Sequence, residues 1–176
     1  ISIVILILFS PLLLIVFLIC LFESGNPIFI QERVGKNQRP FKLFKFRTMK
    51  VNTPSIASHL INKQSLTRSG RLIRLLKLDE LPQLINVING DMSLVGPRPC
   101  LFNQSELVNL RQKYEIFKVK PGITGLSQIQ GIDMSNPKIL CESDLYMNSK
   151  IKQKDYFKYL FLTFFGKGIG DKINKN

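Results

Sequence analysis

The feature that most constrains this chain is an apolar segment at its start. Within the first 22 residues, the positions that are not strongly apolar are Ser2, Ser10 and Pro11, and the first charge is Glu23. A helix needs roughly 20 consecutive apolar residues to cross a bilayer, and this segment just reaches that length. No basic residue precedes it and no small-residue cleavage site follows it, unlike a signal peptide. We therefore expect a membrane segment over residues 1–22, preceded in the natural protein by further sequence with flanking charges.

The dipeptide Ser10-Pro11 interrupts this segment near its middle. Proline lacks an N–H and its ring clashes with the carbonyl four residues earlier, so we expect a kink. The Ser10 hydroxyl can reach back three or four residues to a carbonyl that the proline leaves without a donor. Each half spans only about 15 Å, which is about half the hydrocarbon thickness. Both a re-entrant hairpin, which enters and leaves by one face, and a kinked spanning helix are compatible with this pattern.

The remainder of the chain is strongly basic. The sequence has 25 Lys plus Arg against 12 Asp plus Glu, for a formal net charge of +13. Between residues 31 and 77, twelve Lys or Arg accompany a single acidic residue, Glu32. Such a field attracts anionic lipids, nucleotide diphosphates or nucleic acid, and the positive-inside rule assigns it to the cytoplasmic face. The single histidine, His59, excludes a multi-histidine metal site, and three widely spaced cysteines are unlike a disulfide framework.

The patterning of the first basic block predicts a small β-hairpin. Residues 28–34 and 41–47 alternate like strands, and residues 35–40 are typical of a turn. Lys45 and Arg47 are two apart on the second strand and so share one face, where they could approach one anion. A solvated basic edge strand, which its charges protect from aggregation, is the other interpretation.

An acidic pair follows between two expected helices. We expect one helix over Ser69–Leu78, with Arg71 and Arg74 on one face, and a second helix that begins at Asp79 with Pro82 in its first turn. The helix N-terminus and the arginines make this point electropositive, which keeps a carboxylate ionised. Asp79 is therefore either a helix cap or a functional carboxylate.

The sequence around Arg98 indicates a stiff loop. Pro97 and Pro99 restrict the backbone on both sides of the arginine, although a structural turn explains the prolines equally well. A helix is expected over residues 105–119, followed by a glycine-punctuated loop over residues 122–131.

The last amphiphilic segment, residues 151–165, alternates lysines with tyrosines and phenylalanines. Such a helix lies either in a membrane interface or in the core of a domain.

The following motifs occur in order along the chain: Ser10-Pro11, Arg33-Val34-Gly35, Lys45-Phe46-Arg47-Thr48-Met49, Gly70-Arg71 with Arg74, Leu78-Asp79-Glu80-Leu81-Pro82-Gln83, Asn86-Val87, Met92-Ser93-Leu94-Val95-Gly96-Pro97-Arg98-Pro99, and Lys120-Pro121-Gly122-Ile123-Thr124-Gly125-Leu126-Ser127-Gln128. Each motif is weak alone, but the ordered set is very specific and covers nearly the whole chain. It resembles the bacterial sugar transferase family, the monotopic phosphoglycosyl transferases that start undecaprenyl-linked glycan assembly.

The resemblance implies an α+β fold that is mostly helical and monotopic. Its expected parts are a re-entrant helix over residues 1–22 broken at Ser10-Pro11, a small β-hairpin and interfacial amphipathic helices. Residues 23–176 would form a cytosolic catalytic domain resting on the surface of the bacterial inner (cytoplasmic) membrane.

The resemblance also implies transfer of a sugar 1-phosphate from a UDP-sugar to undecaprenyl phosphate with release of UMP. Asp79 would be the nucleophile, forming an aspartyl-phosphosugar intermediate, and Glu80 its catalytic partner; both would hold the required Mg²⁺. The expected phosphate and nucleotide contacts are Arg74, Arg98, Lys45, Arg47 and Gln128, with Pro97 and Pro99 shaping the loop. Further site candidates are Arg33, Asp144 and Asp155.

Within that class, an N-acetylated amino or deoxyamino sugar is the expected donor sugar, with glucose or galactose as the alternative. The expected partners are the UDP-sugar, undecaprenyl phosphate, membrane lipids and other glycan-assembly enzymes, and not nucleic acid. Two readings from other classes stay open: a membrane-tethered nucleic-acid-binding module, indicated by the interleaved Phe and Lys at residues 41–46, and an inactive scaffold.

Overall fold

The computed structural model describes residues 1–54, 62–150 and 152–165, so His59 lies outside the described residues. The structure is 54% helical with small sheets, which confirms a mixed and mostly helical fold. The helices and strands, in chain order, are α1 (Ser2–Leu8), α2 (Ser10–Ser24), β1 (Ile28–Val34), β2 (Pro40–Phe46), α3 (Gly70–Leu75), α4 (Gln83–Ile88), β3 (Ser93–Val95), α5 (Ser105–Lys113), β4 (Gly122–Thr124), α6 (Leu126–Ile129), α7 (Pro137–Lys150) and α8 (Gln153–Phe164).

The chain divides into two compact units. Among the described residues, the first unit comprises Ile1–Gln31 and Lys42–Asn89, and the second comprises Glu32–Phe41 and residues 90–165. The predicted hairpin is confirmed, because β1 and β2 form a two-stranded sheet. Its second strand starts at Pro40, one residue earlier than expected.

The apolar segment at the start of the chain folds as α1 and α2, which are bent by 69°. Pro11 has no N–H to donate to the carbonyl of Ile7, and Ser10 Oγ donates to that oxygen at 2.8 Å. This confirms both the predicted break and the predicted role of the serine. Among the described residues, no individual helix has the length and hydropathy needed to cross a bilayer, whereas α1 and α2 taken together meet that criterion.

The core of the first unit lies against the second half of α2. Val16 and Cys20 of α2 pack with Phe46 of β2 and Ile73 of α3, and Leu78 joins the edge of this cluster. Many other apolar side chains of α1 and α2 are exposed, among them Ile3, Val4, Ile7, Leu8, Leu14, Ile15 and Phe22. The helix pair therefore has one face that anchors the unit and another that is left uncovered within it.

The segment around the acidic pair differs from the prediction. The first helix is shorter than Ser69–Leu78, because it ends at Leu75 and Lys77 adopts a left-handed conformation with φ of 56°. Asp79 is not a helix cap: it lies inside a 3₁₀ turn, Leu78–Glu80, and α4 starts only after Pro82. Pro82 cannot donate a backbone hydrogen bond, and it precedes the first helical residue rather than lying within the first turn.

The second unit contains a parallel strand pair that the sequence did not reveal. β3 pairs with β4, with Ser93 opposite Gly122 and Val95 opposite Thr124. The predicted loop over residues 122–131 is therefore β4 followed by α6. Gly122 is required here, because a Cβ at this position would lie 2.0 Å from the backbone nitrogen of Gly96.

Helices α5 and α7 pack on each other in this unit. The helix predicted over residues 105–119 ends at Lys113, since Glu115 adopts φ of 57°, and a 3₁₀ turn follows at Ile116–Lys118. The core of the unit is formed by Val34, Cys100, Leu107, Phe117 and Leu140. It joins α5 and α7 to the segment that follows the Arg98 loop.

Helix α8 has two different faces. One face packs on β3 and β4, with Thr163 Oγ1 2.5 Å from Thr124 Oγ1 and Tyr156 Oη 3.4 Å from Ser93 Oγ. The other presents Phe157, Phe161 and Phe165, which are 54%, 62% and 66% exposed. The prediction of a core helix thus fits the face of α8 that packs on β3 and β4. The exposed phenylalanines on its other face have the pattern of a helix that lies in a membrane interface.

Candidate active site

The acidic pair of the first unit is held in a well-packed turn. Asp79 is only 5% exposed, and Glu80 beside it is half-buried. Leu78, the first residue of the turn, packs against the cluster that contains Val16 and Cys20 of α2. The position of the two carboxylates is therefore fixed by the same helix that forms the second half of the apolar segment.

Lys45 forms an ion pair with Glu80. Its Nζ lies 2.9 Å from Glu80 Oε1, and the two side chains are 10% and 14% exposed. Because the pair is largely removed from solvent, its attraction is screened less than that of a surface pair. Lys45 thus brings a positive charge to the acidic turn.

Arg74 of α3 reaches toward Thr48, which lies shortly after the end of β2. Its Nε donates to Thr48 Oγ1 at 2.8 Å, which orients the guanidinium. Its Nη1 is buried and has no hydrogen-bond partner among the described residues. An unsatisfied buried N–H costs free energy, and an anionic oxygen is the acceptor that a guanidinium binds most strongly. Arg74 is therefore suited to bind a phosphate.

Arg47 has different partners from Lys45. Its Nε and Nη2 donate to the backbone carbonyls of Asn26 (2.9 Å) and Ile28 (3.2 Å), and its guanidinium lies over the Phe29 ring. The structure therefore does not bring Lys45 and Arg47 onto one shared group. Arg47 instead fixes the chain between α2 and β1.

Sequence reasoning missed a side chain that ties β2 to α4. Asn86 is fully buried; its Oδ1 accepts from the Phe44 N–H at 3.1 Å and its Nδ2 donates to the Lys42 carbonyl at 2.7 Å. These bonds hold the strand of Lys45 against the helix that follows the acidic turn. The signal was present, since Asn86 is the first residue of one of the motifs given above.

In the second unit, the Arg98 loop is held by its backbone. Pro97 and Pro99 are buried and Arg98 is half-buried. The Pro97 carbonyl accepts from the Gly122 N–H at 2.9 Å, and the Pro99 carbonyl accepts from Arg33 Nη1 at 3.0 Å. Arg33, a predicted site candidate, thus supports the loop.

Gln128 and Asp144 are both buried in this unit. Gln128 is buried on α6, and its Nε2 has no hydrogen-bond partner within the described part of the chain. Asp144 of α7 is fully buried and pairs with Arg111 of α5. Burial disfavours the charge of Arg111, but the negative charge and hydrogen bonds of Asp144, together with the contact to Cys100, outweigh it, so the pKa of Arg111 is raised.

Asp155 has a structural position at the start of α8. Its Oδ2 accepts from the backbone N–H of Lys152 at 3.1 Å, as in a capping box. It also lines a cavity of about 690 Å³ between α6, α7 and α8.

The predicted site residues are divided between the two units. The first unit contains Lys45, Arg47, Arg74, Asp79 and Glu80, and the second contains Arg33, Pro97, Arg98, Pro99, Gln128, Asp144 and Asp155.

Comparison with known proteins gives this arrangement its context. Residues 1–167 match the family model described as bacterial sugar transferase. The chain belongs to the bacterial sugar transferase family.

Several known proteins are similar to the chain. A UDP-glucose:undecaprenyl-phosphate glucose-1-phosphate transferase of Caulobacter vibrioides is 42% identical, over 71% of this chain and 49% of the relative. A UDP-N-acetylgalactosamine-undecaprenyl-phosphate N-acetylgalactosaminephosphotransferase of Aeromonas hydrophila is 37% identical, over 79% and 35%. An uncharacterized sugar transferase, EpsL, of Bacillus subtilis is 45% identical, over 69% and 60%. The chain thus matches less than two thirds of the length of each of these relatives.

The side chains of the acidic turn are of the type that binds Mg²⁺. Asp79 and Glu80 supply carboxylate oxygens, the ligands that this hard cation prefers. Among residues 1–54, 62–150 and 152–165, no group of three or more His, Cys, Asp or Glu side chains is placed to hold a metal. Mg²⁺ commonly uses one or two carboxylates together with substrate phosphates and water, so a dedicated protein cage is not required.

Proposed function

We propose that this chain transfers a sugar 1-phosphate from a UDP-sugar to undecaprenyl phosphate and releases UMP. The observation that carries the proposal is the buried Asp79 in a fixed turn beside the Lys45–Glu80 ion pair. The relatives named as undecaprenyl-phosphate sugar-1-phosphate transferases support the same reaction class.

In the first step, an oxygen of Asp79 attacks the phosphorus that carries the sugar. A carboxylate–phosphorus bond forms and the bridging oxygen leaves with UMP, which gives an aspartyl-phosphosugar. In the second step, an oxygen of undecaprenyl phosphate attacks the same phosphorus and releases the Asp79 carboxylate. Both nucleophiles react as oxyanions, a carboxylate in the first step and a phosphate in the second, so neither step requires a general base to activate a hydroxyl group.

The main barrier is electrostatic, because an anion must approach a diphosphate. Arg74 Nη1 supplies a donor for a phosphate oxygen, and Lys45 keeps a positive charge beside Glu80. Mg²⁺ held by Asp79 and Glu80 would neutralise part of the diphosphate charge. Arg98 and Gln128 would bind the nucleotide or its phosphates, and the unpartnered Gln128 Nε2 supports this role.

We further propose that the chain sits in one leaflet at the cytosolic face of the bacterial inner membrane. The exposed apolar side chains of α1 and α2 and the phenylalanine stripe of α8 support this. The test is thiol labelling of Ile1→Cys and Asn26→Cys in oriented membrane vesicles. Labelling of both from one face is expected for a re-entrant pair, and labelling from opposite faces would contradict it.

The decisive experiment is an assay of UMP release from a panel of UDP-sugars with undecaprenyl phosphate and Mg²⁺. We propose an N-acetylated amino or deoxyamino sugar as the donor, and UDP-glucose and UDP-galactose are the hexose alternatives in the panel. Asp79→Asn keeps the side-chain shape and removes the anionic nucleophile, so it should abolish acceptor-dependent release. The control is Glu115→Gln, which removes an exposed carboxylate of the second unit. No release with any donor would contradict the proposal and favour the binding or scaffold readings.

A further inference from the structure

The backbone around Arg98 is held at every successive carbonyl. The carbonyls of residues 97–100 each accept a hydrogen bond: Pro97 from the Gly122 N–H (2.9 Å), Arg98 from Arg111 Nη1 (2.7 Å), Pro99 from Arg33 Nη1 (3.0 Å) and Cys100 from the Val34 N–H (2.9 Å). Two of these donors are guanidinium groups of buried arginines. The segment is thus held by side chains as well as by the strand pair.

Arg111 is the most unusual of these donors. It is 2% exposed, and its Nε and Nη2 bond Asp144 Oδ2 at 3.1 and 2.5 Å while Nη1 bonds the Arg98 carbonyl. Burying an ion pair is expensive, and apolar residues of similar volume often give equal or greater stability. The Arg111–Asp144 ion pair therefore adds little stability beyond what an apolar pair of similar volume would give. Unlike an apolar pair, it places an N–H donor of Arg111 against the Arg98 carbonyl.

The second oxygen of Asp144 reaches another candidate binding residue. Ser127 Oγ donates to Asp144 Oδ1 at 3.0 Å. Ser127 immediately precedes Gln128, whose buried Nε2 is unpartnered among the described residues. One carboxylate therefore connects, through Arg111 and through Ser127, the two segments of the second unit that carry predicted nucleotide contacts.

We propose that Arg111 and Asp144 are positioning residues, which hold the Arg98 loop and helix α6 with Gln128 in the geometry that binds the phosphates or nucleotide of the donor. This inference rests on the proposed function. It assigns Asp144 a role through Arg111 and Ser127 rather than a contact with substrate. It also assigns a role to Arg111, which lies in none of the motifs that carry the family resemblance.

The test is a double-mutant cycle in the full chain. Arg111→Met together with Asp144→Leu replaces the ion pair by apolar side chains, so the variant should fold and melt within a few degrees of the wild type. Its KM for the UDP-sugar should rise about tenfold, with a much smaller change in kcat. In an Arg98→Ala background the same double change should alter KM by less than about twofold, because the positioned group is already gone. An unchanged KM, or an equal rise in both backgrounds, would overturn the proposal.

A second measurement does not depend on catalysis. Amide hydrogen exchange of Val34 and Gly122, whose N–H groups donate to the Cys100 and Pro97 carbonyls, should be slow in the wild type and clearly faster in the Arg111→Met/Asp144→Leu variant. Ser127→Ala, which removes one hydrogen bond from Asp144, should instead affect the amides around Gln128. Unchanged exchange in the double variant would overturn the proposal even if the chain is active. If exchange is faster in the double variant but the wild type itself releases no UMP, then the ion pair positions the loop and the proposed function fails.

Discussion

The two units hold their candidate functional groups in different ways. In the first unit the contacts are made by the functional side chains themselves, since Lys45 binds Glu80 and Arg74 binds Thr48. In the second unit the contacts are made to the backbone of the Arg98 loop, and the buried ion pair that supports it is formed by other residues. A reacting carboxylate needs a controlled electrostatic environment, whereas a binding loop needs a fixed backbone. This contrast underlies our proposal that Asp79 is the reacting group and that the Arg98 loop binds the donor.

The largest expected effect separates these two tasks kinetically. Asp79→Asn should lower kcat by more than about a thousandfold, because the covalent step loses its nucleophile. Arg98→Ala should act chiefly on the KM for the UDP-sugar, with a rise of about tenfold to a hundredfold. Steady-state kinetics of UMP release would check both. A large kcat loss for Arg98→Ala at unchanged KM would break the proposed division.

The second prediction concerns the Arg111–Asp144 pair, whose side chains are 2% and 0% exposed. Asp144→Asn leaves Arg111 as an uncompensated buried charge and should lower the free energy of unfolding by about 3–5 kcal/mol. Arg111→Met/Asp144→Leu should restore most of this stability. Denaturant unfolding in a fixed detergent would measure both, and equal destabilisation by the single and double changes would contradict the explanation.

The Lys45–Glu80 pair of the first unit should respond less strongly, because it is less buried. Lys45→Met leaves Glu80 without this cation and should cost about 1–3 kcal/mol of stability. Lys45→Arg, which retains the charge, is the matched control. Lys45→Met/Glu80→Gln should recover stability but not UMP release. Recovery of activity in that double variant would show that the pair is structural.

The smallest effect is a pH dependence at Cys141 of α7. Burial and then the negative charge of Asp144 raise the pKa of this thiol to about 11, from 9.0 in the unfolded chain. Between these values the unfolded chain loses the proton first, so this group's contribution to stability is present below pH 9.0 and is lost as the pH rises toward 11. At pH 9 about one in a hundred folded molecules should carry the thiolate, so alkylation by iodoacetamide should be slow. Rapid alkylation of the folded chain at pH 9 would contradict this.

The sequence predicted correctly those elements whose structure depends on residues that are neighbours along the chain. The break at Ser10-Pro11 follows from the missing proline N–H, and the hairpin follows from strand alternation around a turn. Helix α8 was also predicted from its amphiphilic pattern. The boundaries that failed, at Lys77 and Glu115, are positions where a non-glycine residue adopts a left-handed conformation.

The sequence by itself thus determined the broken apolar helix pair and the family, and it supplied the residues to which the proposal assigns the chemistry. Only the tertiary structure decided that Asp79 lies in a 3₁₀ turn, that β3 and β4 pair in parallel, and that Arg111 binds both Asp144 and the Arg98 carbonyl. The strand pair and the Arg111 contacts join residues that lie far apart in the sequence, with about 13 positions between Arg98 and Arg111 and about 33 between Arg111 and Asp144. Their partners are selected by burial and hydrogen-bond satisfaction in the folded unit, which no local pattern encodes.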